Sequence, residues 1–182
     1  QAYEVVNEYL YMGHIKPFCE WPVQHESPGD DVVRMRAVRV RTDLGIVTDA
    51  FDIRKPIAVQ LEFDVLKPGH MPVAQFSFHS EEDTVIFMVN DRDPEWYRRP
   101  RPAGRYVSTV WIPGNLLSEG ILTVGAGIMT EDPFRLHCDV PRVLGFRVHE
   151  GGSGETARGD FTGRWPGAVR PLLKWTTQYS PR

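Results

Sequence analysis

Cysteine is nearly missing from this chain of 182 residues, occurring only at Cys19 and Cys138 and never in a Cys-x-x-Cys pair. That excludes a disulfide framework and a structural zinc site, and both sulfurs are expected as free thiols. No apolar run approaches the ~20 residues of a membrane-spanning helix. Basic residues are not in excess, with 21 Lys and Arg against 24 Asp and Glu for a net charge of -3. Such a chain has no general field for collecting nucleic acid. A phosphate loop of the form GxxxxGK[ST] is lacking, so neither binding nor hydrolysis of ATP is expected. No secretory n-region and h-region open the chain and no Asn-x-Ser/Thr acceptor occurs in it, so a cytoplasmic location is expected. Helical periodicity is scarce too. Only Tyr3 to Tyr11 has it, with Val5, Val6, Tyr9 and Leu10 spaced for one face, and one short helix cannot build a core.

Turn residues, in contrast, are plentiful. The 16 Gly and 15 Pro cut the chain into short runs rich in Val, Ile, Phe and Thr, the spacing of an all-β protein. Alternation is clearest from Ile57 to Leu66, where Val59, Leu61, Phe63 and Val65 take one face and Gln60, Glu62 and Asp64 the other. From Val32 to Arg41 the parity switches between Ala37 and Val38, as a β-bulge there would cause. Further strands are expected at Val73 to His79, Thr84 to Val89, Arg105 to Pro113, Ile121 to Thr130, Phe134 to Val140 and Val143 to Glu150. Two segments read as irregular: Asn90 to Gly104, with four Arg and three Pro, and Gly151 to Gly167, with six Gly. The whole reads as an antiparallel β-sandwich of jelly-roll or immunoglobulin-like kind. Residues 1–31 read as the tail of an upstream domain and a linker, and residues 32–182 as the sandwich.

Late in the chain stands Ala157-Arg158-Gly159-Asp160-Phe161, then Trp165-Pro166-Gly167-Ala168-Val169-Arg170-Pro171-Leu172-Leu173-Lys174-Trp175. This resembles the closing signature "RGDY…GVVRPLLxW" of the Wzt-type C-terminal domains, which follow the ATPase domain of bacterial O-antigen exporters. Gly104-Arg105-Tyr106 through Ile112-Pro113-Gly114-Asn115-Leu116-Leu117 and Glu119-Gly120-Ile121-Leu122 looks like the family's "GxY…IPxxxLxxG" hairpin. Leu144 to Val148 is similar to the strand before its Gly-rich loop, and Glu4 to Leu10 looks like the end of such an ATPase domain. The resemblance implies a non-catalytic module that binds a lipid-linked O-antigen or related polysaccharide and selects it for export. The implied partners are a second copy in a homodimer, the ATPase domain and the membrane permease, at the cytoplasmic face of the inner membrane. No cofactor is implied. Ile121 departs from the family hairpin, which often has a polar residue and Tyr there, so the sugar contacts of that strand need not carry over.

The residues supply candidates for such a site. If Tyr106, Ser108, Val110 and Ile112 face the core, then Val107, Thr109 and Trp111 face outward. A hairpin with the next strand would set Trp111 beside Thr123, Gly125 and Gly127, giving a shallow floor with an aromatic wall. Sugars stack their C–H faces on aromatic rings and take directional hydrogen bonds from polar neighbours. Alternatively Trp111 is a packing surface for a second sheet or a partner chain. Gln60, Glu62, Ser77 and His79 would supply hydrogen bonds on the outward faces of their strands, unless those faces are merely solvated. Glu62 and Asp64 stand side by side at ~7 Å, not across a scissile bond, which argues against a glycosidase. His70, His79, His137 and His149 lack metal-ligand spacing. The loop Asp91 to Arg105 carries Trp96, Tyr97, Arg98, Arg99 and Arg101. It is either a grip for an anionic sugar or diphosphate or a connector anchored by Trp96. Ala168 to Trp175, largely apolar and following a Gly-rich connector, is the candidate for reaching a partner chain. The competing function is a structural dimerisation module that touches no sugar.

Overall fold

The computed structural model describes residues 16–23, 26–151, 155–163 and 165–181. The helical pattern at Tyr3 to Tyr11 lies outside the described residues. Nine strands form: β1 (Phe18–Glu20), β2 (Val33–Thr42), β3 (Ala50–Asp52), β4 (Ile57–Val65), β5 (Val73–His79), β6 (Val85–Asn90), β7 (Gly104–Ile112), β8 (Gly120–Thr130) and β9 (Arg135–His149). They make a four-stranded sheet in the order β1-β2-β4-β7 and a five-stranded sheet in the order β3-β9-β8-β5-β6. Neighbours are antiparallel except β3 and β9, which run parallel. Two such sheets, with β5-β8-β9 facing β2-β4-β7, constitute an immunoglobulin-like sandwich. The all-β reading therefore holds.

Alternation builds the core. Val59, Leu61 and Phe63 are fully buried on β4, and Met35, Val38 and Val40 meet them from β2. Phe78, Val124, Ile128, Leu144 and Phe146 close over them from the other sheet. Each such side chain contributes about 1.5–3 kcal/mol on leaving water. The expected parity switch on β2 is real, and the register slips between Met35 and Ala37, one residue earlier than the periodicity placed it. Arg36 is the extra residue, and the bulge sends its side chain to Asp64 at 2.6 Å.

Phe134 to Val140 and Val143 to Glu150 prove to be one strand, β9. Its ladder with β8 jumps from Val140↔Ala126 to Leu144↔Val124. Pro141, which has no N–H to give a ladder, and Arg142, at φ 48°, lie in that bulge, which is why the sequence reads as a break.

After β9 the chain returns along the connection between β7 and β8. Val169 bridges Leu117, and Arg170 N donates to Leu116 O at 2.8 Å. Four charges fasten this return. Arg158 reaches Glu119 at 2.6 Å and Arg170 reaches Glu150 at 2.7 Å. Glu119 precedes β8 and Glu150 follows β9, so the two arginines of the closing signature clamp the final segment to the ends of two neighbouring strands. Beyond that clamp Leu173, Trp175 and Tyr179 are exposed.

Candidate functional site

Strand β7 presents the side chains that alternation assigned to it. Val107 and Trp111 are exposed, Tyr106 and Val110 pack on the core, and Ile112 is buried. Register sets Trp111 opposite Ala58 and Thr109 opposite Gln60. A small buried Ala58 leaves room for the indole to lie over the sheet. The Arg41 guanidinium stands 5.6 Å from the ring centre, a cation–π arrangement. Trp111 is 49% exposed, so it is not a core residue.

The other outward positions of this sheet are largely engaged with one another. Gln60 Nε2 donates to Thr109 Oγ1 at 2.9 Å. Glu62 accepts from Arg39 at 2.9 Å and stands 3.3 Å from Arg105. Burial would raise the Asp64 carboxyl, but hydrogen bonds from Arg105 and Arg36 outweigh it and hold it below the usual carboxylate range. A glycosidase acid needs the opposite shift, so Asp64 is not poised as one.

The expected hairpin between β7 and β8 does not exist. β7 pairs with β4 in one sheet, whereas β8 pairs with β5 and β9 in the other. The stretch between them crosses from sheet to sheet, and Gly114 makes that crossing possible. A Cβ on Gly114 would lie 2.1 Å from the carbonyl oxygen of Arg54. Thr123, Gly125 and Gly127 consequently lie away from Trp111, on the outer face of the five-stranded sheet. There Thr123 opposes His79, and Gly125 opposes Ser77. A Cβ on Gly125 would meet Ser77 Oγ at 2.5 Å, and His79 Nε2 lies 3.1 Å from that same oxygen. The seven candidate residues thus divide into Gln60, Glu62 and Trp111 on one face of the sandwich and Ser77, His79, Thr123 and Gly125 on the opposite face.

What the sequence did not reveal is the seam between them. β6 ends one sheet and β7 ends the other, and the loop 91–103 spans the gap. An open cleft of about 580 Å³ runs along this seam, within the range of small-molecule sites. Ala74, Phe76, Val89 and Val110 form its apolar floor; Tyr106, Trp96 and Trp111 supply aromatic walls; Asn90, Asp91, Asp93, Ser108 and Thr109 supply polar groups.

The loop holds its shape through Asp91 and Arg101. Asp91 accepts from Ser108 Oγ at 2.7 Å and from Arg101 Nη2 at 3.1 Å. Burial pushes its carboxyl up, but the Asp93 backbone amide, Ser108 and Arg101 bring it below the usual range. Arg101, 3% exposed, lies 5.0 Å from the Tyr106 ring centre and 5.6 Å from that of Trp96. Trp96 meets Tyr106 edge-on at 5.2 Å. Trp96 thus anchors the loop to the body of the sandwich. Arg101 gives Nη2 to that anchoring, its buried Nε making no hydrogen bond, and Arg92 pairs with Glu131 at 2.7 Å.

Among the described residues no group of three His, Cys, Asp or Glu side chains is placed to hold a metal ion. Cys138 is a free thiol that burial pushes up to about 12, too high for a reactive thiolate at neutral pH. No helix among the described residues is long and apolar enough to cross a membrane.

Fold and cleft together define an immunoglobulin-like sandwich with an aromatic and polar cleft along one open seam. The crystal structure of the C-terminal domain of Wzt has this fold: it matches with a TM-score of 0.61 at 13% sequence identity, covering 91% of this chain and 98% of that one. No family model matches the chain, and no curated protein matches its sequence.

Proposed function

We propose that the chain binds a bacterial O-antigen or related surface polysaccharide without altering it, so that an ABC transporter exports the right glycan. The observation that carries this reading is the seam cleft, where Trp111, Trp96 and Tyr106 stand beside ionised Asp91 and the hydroxyls of Ser108 and Thr109. Aromatic faces for C–H stacking next to hydroxyl and carboxylate partners suit a polyhydroxylated ligand. The fold shared with the C-terminal domain of Wzt, together with the signature at Arg158 to Trp175, supports the export setting. In that setting the partners are a lipid-linked polysaccharide, an ATPase domain, the membrane permease and a second copy of this chain. The location is the cytoplasmic face of the inner membrane. Of the seven candidates, Trp111 lines the cleft itself and Gln60 holds Thr109 at its rim. Ser77, His79, Thr123 and Gly125 would form a separate polar surface.

A second reading has its own observation. Leu172, Leu173, Trp175 and Tyr179 are exposed beyond the Arg170 clamp, and such a segment suits a structural dimerisation module. Titration of the chain with matched and unmatched polysaccharides, followed by calorimetry and light scattering, separates the two. Saturable heat with one polysaccharide class supports glycan binding; a dimer that binds neither leaves the dimerisation module standing.

A further inference from the structure

The chemistry of the seam cleft narrows its ligand further, an inference that rests on the glycan-binding reading above. Its charges are already spoken for. Arg101 is paired with Asp91, and Arg92 with Glu131, while Asp93 adds a further carboxylate to the rim. A uronic acid or a phosphate would meet carboxylates with no uncommitted cation among the groups lining the cleft. Between the sheets, however, the floor is apolar. Ala74 and Phe76 are buried on the inner face of β5, and Val89 and Val110 pack against the core from the two edge strands. A hydroxyl directed onto that floor would leave water without gaining a partner, which is unfavourable. A methyl group there gains from the same desolvation.

We propose that the seam cleft seats a neutral pyranose bearing a methyl group, with that methyl on the floor formed by Ala74, Phe76, Val89 and Val110 and the ring hydroxyls directed at the Asp91 and Thr109 rim. The methyl is either C6 of a 6-deoxyhexose or the terminal carbon of an acetamido group. These share the chemistry the floor recognises.

Three matched pairs of sugars test this on the whole chain by NMR titration. L-Fucose is set against L-galactose and L-rhamnose against L-mannose, each pair differing only in the oxygen on C6. The third pair is N-acetylglucosamine against glucose. In at least one pair the methyl-bearing sugar binds about 10-fold more tightly, and which pair responds identifies the source of the methyl. Val110→Thr, nearly the same shape with a hydroxyl on the floor, removes that preference while retaining the melting temperature within a few degrees. Equal binding within every pair overturns the inference and leaves polysaccharide recognition intact. Absence of binding by all six sugars also overturns it, and titration with whole polysaccharide then decides whether the glycan reading falls as well. The comparison of sugars on the unmodified chain stands even if the variant does not fold.

Discussion

Arg170 Nη2 lies 2.7 Å from Glu150 Oε2, tying the closing signature to the end of β9. The Arg170 side chain is almost wholly buried, and its guanidinium also stands 5.8 Å from the Trp165 ring centre. Removing it takes one of two arginines from Glu150 and, 3.8 Å from Nη1, Glu119, and leaves both carboxylates to Arg158 at 3.3 and 2.6 Å. Arg170→Ala is expected to cost about 2 kcal/mol in urea unfolding, since a hydrogen bond to a charged group and the packing of a buried side chain are lost together. Arg170→Lys should recover only part of this, because an ammonium cannot fork between two carboxylates. Full stability in Arg170→Ala would show the clamp to be ornamental.

Trp111 is half exposed and rests over Ala58 with Arg41 at its face. Trp111→Ala should therefore change the melting temperature by no more than a few degrees, yet weaken polysaccharide binding by roughly 1–3 kcal/mol, as for ring-on-aromatic stacking elsewhere. Calorimetric titration and thermal melting on the same sample read both quantities. Unchanged affinity removes Trp111 from the site. A collapsed melting temperature would mean that it packs in an interface instead, where its loss leaves a cavity.

The segment after Leu172 extends beyond the clamp. A chain ending at Leu172 keeps the hydrogen bond from Leu172 N to Asn115 O and both signature arginines, but loses Leu173, Trp175 and Tyr179. It should remain folded and run as a monomer in light scattering, whereas the full chain is expected to run as a dimer. A chain ending at Gly154 would lose dimerisation and the clamp together, and should be less stable as well. An unchanged dimer in the Leu172 variant places the interface elsewhere.

Acid should loosen the four-stranded sheet. Asp64 sits below the usual carboxylate range in the folded chain, so the unfolded chain takes up its proton first as the pH falls. The stability it lends is present above the unfolded value of about 4 and is lost as the pH falls through the folded one. The difference in melting temperature between the native chain and Asp64→Asn should be largest near neutrality and shrink below about pH 4. A difference independent of pH would mean that the carboxylate charge is not what matters.

Much of this architecture was legible in the residues. Alternation along β4 and β7 assigned Val59, Leu61 and Phe63 to the core and Trp111 to the outside, because the two faces of a strand follow from the pleat alone. The closing motif around Arg158 and Arg170 resembles that of the Wzt-type C-terminal domains, and the fold is shared with the C-terminal domain of Wzt. Alternation gives a side chain its face but not its strand a partner. Whether 113–119 made a hairpin turn or crossed to the other sheet depended on how both sheets pack. The packing sent Thr123 and Gly125 to the face opposite Trp111. The cleft was hidden for the same reason, since Phe76, Val89, Trp96 and Val110 are far apart in sequence and meet only where two sheet edges lie open. The pairing of Glu62 with Arg39 likewise depended on long-range register, and that of Asp91 with Arg101 on how the loop folds against Tyr106 and Trp96; both decide which charges remain free to meet a ligand and which are spent holding the fold.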